Sequence, residues 1–237
     1  MARPTSSSQI ASILAQRDSH LSRVIELVGP PPSRRAIPVA DRFEDLATSI
    51  LHQQLAGAAA ATITRRTIDA LGGSISADAI LAASPGQLRG CGVSGAKELA
   101  LLDLATHVDD GRLDLEHLGR LEDAVVVDRL SDVRGIGRWT AEMFLMGPLG
   151  RHDVWPVGDL GVRNGFSLLK RKRSVIAPKE LEALGERYRP YRSSVAWYCW
   201  KAVEYLPRSC ARPINAPTRG MPTFAASREV IAETLRR

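Results

Sequence analysis

From Asp41 onward, apolar side chains recur every three or four positions at Phe43, Leu46, Ala47, Ile50, Leu51 and Leu55. That is the period of a helix with one buried face, so a helix is predicted from Asp41 to Leu55. A second follows in GAAAATITRRTIDAL, whose small residues permit close helix packing and which the glycines at 72 and 73 end. Upstream, residues 1–40 predict a peripheral helix from about Ser8 to Leu27, then a connecting loop in the breaker cluster GPPPSRRAIP. Ser76 with Asp78 in the first turn, and Ser84 followed by Pro85, announce further helix starts. GVSGAKELALLDLATHVDDG reads as a long amphipathic helix. EDAVVVDRLSDV reads as another, although its three valines would suit a strand equally well in isolation. No other stretch resembles a strand, so the predicted fold class is all-α. Pro207, Pro213, Pro217 and Pro222 break up residues 207–237, which predict a mobile or surface-wrapping tail with a short helix at Ala225 to Leu235.

Composition narrows the class. A chain of 237 residues can bury a sizeable core, and 44% hydrophobic with 24% charged residues is ordinary for a globular protein. The three cysteines, Cys91, Cys199 and Cys210, suit a reducing compartment and cannot furnish a four-thiolate cluster. There is no apolar run of membrane-spanning length, and MARPTSSSQI lacks the apolar centre of a signal peptide. A soluble, cytoplasmic protein is expected, with no membrane partner. Charge matters more by position than in total: residues 1–133 carry 13 Lys+Arg against 17 Asp+Glu, whereas residues 134–212 carry 15 against 7. An acidic part followed by a basic one suggests a surface that meets a polyanion. His52, His107, His117 and His152 lack metal-ligand spacing and are expected at the surface or at helix ends.

The most informative stretch is LSDVRGIGRWTAEMF, residues 130–144. A helix closes near Ser131, Gly135 and Gly137 bracket Ile136, and a new helix opens at Arg138. Two glycines in three residues allow a tight reversal that leaves backbone N–H groups uncovered at the mouth of the second helix. With the positive end of the helix dipole and the charges of Arg134 and Arg138, they make a site for an anion such as a phosphate. Downstream, VWPVGDLGVRNGF sets Asp159 in an apolar neighbourhood just before a helix starting near Leu160. Asp159 can cap that helix, and the same fixed carboxylate can stabilise a positive sugar centre.

The hairpin VRGIGRWTA, Asp159 twenty residues beyond Trp139, the segment ILHQQLAGAAAA and the segment PYRSSVAWYCW together resemble the helix-hairpin-helix DNA glycosylases, in particular the 3-methyladenine DNA glycosylase II branch. The similarity covers about Phe43 to Glu204. It implies a two-lobed helical fold with the active site in a cleft between lobes. Residues 41–206 would form the glycosylase core and residues 1–40 a helix and linker packed on it. It implies an enzyme of base excision repair that flips an alkylated purine from duplex DNA and hydrolyses its N-glycosidic bond, as a monomer.

By the same resemblance Asp159 is the catalytic carboxylate, in a role like that of the carboxylates of glycoside hydrolysis. Trp139, Trp200, Met143 and Trp155 would line the base pocket, where aromatic faces suit a cationic base. Met143 stands where the branch often has a further aromatic. Strand-cleaving relatives carry a lysine nucleophile where this chain has Trp139, so a monofunctional hydrolase is expected. Gln54 or Leu55 would fill the gap left by the flipped base, and Gly135, Gly137 and Thr140 would offer N–H groups to phosphate. Arg134, Arg138, Arg192 and Lys201 are further candidates for contacts to DNA. The carbonyls of Ser131, Val133 and Ile136 are implied as a site for a sodium or potassium ion; no cofactor is otherwise required, and no iron–sulfur cluster is expected. KRKR at 170–173 reads as a solvated helix end or a DNA-facing patch. A non-catalytic DNA-binding module and a glycosylase for oxidised or mismatched bases are the alternatives on the same scaffold.

Overall fold

Helix signals every ten to fifteen residues, with no alternating segments, are met in the computed structural model, which describes residues 5–206, by helices alone. In chain order these are α1 (Ser7–Arg17), α2 (Ser19–Val28), α3 (Val39–His52), α4 (Gly57–Ala70), α5 (Ala77–Leu81), α6 (Gln87–Gly90), α7 (Gly95–Asp109), α8 (Asp123–Ser131), α9 (Arg138–Met146), α10 (Leu160–Leu169), α11 (Pro178–Gly185) and α12 (Arg192–Tyr205). The expected tail at 207–237 lies outside the described residues. Among those described, no helix is long and apolar enough to cross a membrane.

Two compact units share these helices. Residues 5–36 and 142–206 form one, and residues 37–141 the other. The chain passes between units near the expected linker, and again inside α9, where unbroken helical sequence carries no sign of a boundary.

In the unit of residues 37–141, the apolar stripe read from the sequence is the buried face: Leu46, Ala47, Ile50 and Leu51 of α3 are fully enclosed, as are Leu101 and Leu104 of α7. Each such Leu or Ile side chain contributes about 1.5–3 kcal/mol. The valine run lies in α8, with Val126 buried and Val125 exposed, which resolves the strand ambiguity in favour of a helix. Ser76 and Ser94 cap α5 and α7 as N-caps. Ser84 does not begin a helix; its N–H donates to Gln87, and α6 starts after the left-handed Gly86. The turn chemistry of Pro85 and Gly86 overrides the capping signal there.

In the unit of residues 5–36 and 142–206, the single N-terminal helix expected from Ser8 to Leu27 is two, because Asp18 adopts an extended backbone and caps α2 by accepting from the His20 N–H. Its buried carboxylate also receives hydrogen bonds from Lys170 and the Tyr188 hydroxyl. Burial alone would raise this carboxyl, but those bonds outweigh it and bring the pKa down to about 2. Arg34 is half-buried, donating to the Met146 carbonyl at 2.8 Å and the Ser193 carbonyl at 2.9 Å, so it satisfies an end group of α9. Its burial lowers its pKa to about 10, still charged at neutral pH.

Candidate active site and nucleic-acid interface

Asp159 precedes α10 with an extended backbone, the N-cap conformation, and its Oδ1 accepts from the Val162 N–H at 2.6 Å. A second donor arrives from α12: the Trp200 indole Nε1 bonds the same Oδ1 at 3.0 Å. Asp159 is 8% exposed. One oxygen of a buried carboxylate is therefore fixed by two N–H groups from two helices.

Two glycines of α10 make this possible. A Cβ at Gly161 would lie 2.9 Å from the Trp200 ring and 3.1 Å from the Asp159 Oδ1, so any larger residue would push the indole away. A Cβ at Gly165 would fall on the Cys199 carbonyl, so α10 and α12 approach closely only because this position is bare. The glycine pair at four-residue spacing went unread in the sequence; glycine inside a helical pattern was the available signal. Cys199, wholly buried there, has its thiol pushed up, first by burial and then by the charge of Asp159, so it stays neutral.

Of the other expected pocket residues in this unit, Trp155 is a core residue. Its Nε1 donates to the Leu181 carbonyl at 2.9 Å and its ring meets Phe166 edge-on, so it is committed to packing. Met143 is buried at 4% exposure. Arg192 is built into the fold: its side chain is 13% exposed and pairs with Asp153 at 2.9 Å and Glu186 at 3.2 Å. Lys201 pairs with Glu204 at 2.7 Å and lies over the Trp197 and Tyr205 rings. Charge counting in the sequence could not see the Arg192 partner Asp153, 39 residues away, whereas Lys201 and Glu204 are a pair one turn apart in α12. The KRKR run is likewise partly consumed, since Lys170 bonds Asp18 and Lys172 pairs with Glu180.

The unit of residues 37–141 holds the hairpin. Gly135 is left-handed, with φ of 81°, and a Cβ there would lie 2.9 Å from that of Ala100. The turn itself needs this glycine. Gly137 has a negative φ and open space around it, which leaves its backbone approachable. Ile136 is buried and donates to the Val133 carbonyl at 3.0 Å, closing the turn. Arg134 and Arg138 are exposed, Thr140 is buried, and Trp139 is 41% exposed, unusual for so large an apolar side chain. The Arg134 N–H is taken by Asp103 at 2.7 Å.

In the same unit, the chain leaving α3 carries the two candidates for insertion. Gln54 is exposed with φ of 56°, a strained setting for a non-glycine residue, while Leu55 is half-buried. Lys97 holds the segment by donating from Nζ to the Leu51 and Gln53 carbonyls, each at 2.7 Å, and the Gln53 amide reaches the Gly135 carbonyl at 2.8 Å. Neither Lys97 nor Gln53 was singled out in the sequence, where nothing local marks a side chain that bonds to backbone forty or more residues away. His52 bonds Thr64 at 3.1 Å, and burial, then the Lys97 charge, lowers its pKa. His107, expected at the surface or at a helix end, lies in the last turn of α7 and is buried, bonding the Asp103 carbonyl and Arg112. No cluster of three His, Cys, Asp or Glu suited to a metal occurs among the described residues.

Comparison with known proteins adds the following. Residues 47–190 match the HhH-GPD superfamily of base excision DNA repair proteins. The chain is 32% identical to DNA-3-methyladenine glycosylase 1 of Schizosaccharomyces pombe over 81% of its own length and 89% of that protein's. Among solved structures it resembles a DNA-3-methyladenine glycosidase from Bacillus halodurans, with a TM-score of 0.75 and 33% identity over 86% of this chain and 94% of that one. It also resembles the S. pombe 3-methyladenine DNA glycosylase in complex with abasic DNA, with a TM-score of 0.73 and 30% identity over 84% of this chain and 98% of that one.

Proposed function

Since this chain belongs to the HhH-GPD superfamily of base excision DNA repair proteins, we propose that it is a monofunctional DNA glycosylase that removes alkylated purines, of the 3-methyladenine type, from duplex DNA. The observation that carries this reading is Asp159, buried and with Oδ1 fixed by Val162 and Trp200.

Breaking an N-glycosidic bond builds positive charge on the sugar. A carboxylate already aimed, and shielded from water, stabilises that charge with no reorganisation at the moment of reaction. An alkylated purine carries its own positive charge and leaves readily, so the site needs no strong general acid. Water then completes the hydrolysis, with Asp159 orienting it. Trp139 stands where strand-cleaving relatives have a lysine; an indole cannot form a Schiff base, which favours base release without strand cleavage. The exposed Trp139 ring suits stacking against an electron-poor base.

Duplex DNA is the partner this reading assigns, bound by a monomer. Gly135, Gly137 and Thr140 offer N–H groups to phosphate, with the exposed Arg134 and Arg138 beside them. Gln54, exposed where Leu55 is half-buried, is the side chain assigned to the gap left by the extruded base. The carbonyls of Ser131, Val133 and Ile136 are a donor set of the hard oxygen type that would hold sodium or potassium, which would add positive charge to the hairpin; the chemistry itself calls for no cofactor.

Incubation with methylated duplex DNA should free 3-methylated purine, with strand breaks appearing only after alkali. Release of 8-oxoguanine or uracil in place of methylated bases would favour the reading as a glycosylase for oxidised or mismatched bases, and spontaneous strand breaks would refute the role given to Trp139.

A further inference from the structure

Helix α7 presents Lys97, Ala100 and Asp103 at three-residue spacing, which places them along one stripe of its surface. Each meets a different piece of the DNA-facing backbone. Lys97 holds the Leu51 and Gln53 carbonyls at 2.7 Å. Ala100 lies against Gly135, where a Cβ would come within 2.9 Å. Asp103 takes the Arg134 N–H at 2.7 Å. Across the gap between these pieces, the Gln53 amide donates to the Gly135 carbonyl at 2.8 Å, joining residues 82 apart in sequence.

Within this loop, the neighbours of Gln54 are secured while Gln54 itself stands exposed at a left-handed φ of 56°. A left-handed glutamine is costly, and persists only where the surroundings over-determine it. The clamp supplies that determination: the two carbonyls held by Lys97 fix the peptide planes leading into Gln54, and Gln53 ties its immediate neighbour to the hairpin.

We infer that Gln53 and Lys97 are positioning residues that lock the base-opening loop to the phosphate-gripping hairpin, so that gripping the backbone sets where Gln54 enters the helix. The inference rests on the glycosylase reading above. Without the lock, the hairpin still binds phosphate and Asp159 still acts, but Gln54 meets the duplex at varying offsets and opens it less often. The defect should therefore appear only where a base pair must be opened.

The test compares single-turnover excision of one methylated purine in two duplexes, one with the lesion fully paired and one with it inside a short mismatched bubble. Gln53→Glu keeps the shape and removes the amide donor; Lys97→Met keeps the aliphatic stem and removes the ammonium. For both variants the bubble-to-paired rate ratio should rise by about tenfold over that of the wild type, the order expected for losing one hydrogen bond that orders the working state. Lys97→Arg, which retains cationic donors, should bring the ratio back towards wild type. An unchanged ratio, whether both rates fall together or neither does, overturns the inference. A wild type that frees no base from either duplex refutes the glycosylase reading instead, so the two failures are told apart.

Discussion

Asp159 is 8% exposed and has one oxygen held by two N–H donors from two tightly packed helices, whereas Gln54, Arg134, Gly135 and Arg138 are exposed. The first region spends burial and two bare glycines to aim one charge. The second keeps its polar groups at the surface. The contrast follows from what each must meet: a transient charge on one sugar, which rewards a rigid, water-poor setting, against a long, hydrated polyanion, which rewards accessible donors. Changes in the first region should strike rate or fold; changes in the second should strike affinity and its dependence on salt.

Asp159→Asn breaks that contrast most sharply. It should cut base release roughly a thousandfold in single-turnover assays, the scale of losing a preorganised charge, while binding to abasic-site DNA persists. If excision survives, the protein does not use this carboxylate; if there was none to lose, the non-catalytic DNA-binding alternative stands. Next in size is Gly165→Ala, whose methyl would fall on the Cys199 backbone. It should cost about 3 kcal/mol of stability or prevent folding of that unit, read by chemical denaturation. A cost below about 1 kcal/mol would mean that α10 and α12 can separate freely.

Acid sharpens the comparison from another side. The Asp18 carboxyl is depressed to about 2 in the fold, against an ordinary value near 4. Its contribution, about 2 kcal/mol, is complete above the unfolded value and drains away as pH falls from about 4 to about 2. Denaturation midpoints across that range should show the loss, and Asp18→Asn should flatten it. The smallest effect belongs to the hairpin. Arg138→Ala should weaken DNA binding several-fold, evenly across sequences, and reduce the slope of log affinity against log salt by about one. Arg192→Ala should leave that slope unchanged, since the Arg192 side chain is only 13% exposed.

The sequence by itself determined the all-α class, most helix starts, the hairpin turn at Gly135 and the cap at Asp159. All of these depend on a few consecutive residues: apolar period, a glycine torsion, a side chain reaching an N–H three residues on. It misjudged the break at Asp18, because what holds an aspartate out of helix there is Lys170 and Tyr188, more than 150 residues away. For Arg192 and Trp155, marked as candidates for DNA or base contact, it carried no sign of the partners they also have in the fold, Asp153 and the Leu181 carbonyl, 39 and 26 residues away. Only the tertiary structure decided that Trp200 donates to Asp159 across 41 residues, that Lys97 clasps the end of α3, and that Gln53 reaches the hairpin. Those pairings are set by how closely helices pack, a result of burial summed over many side chains, and no short stretch of chain carries that sum.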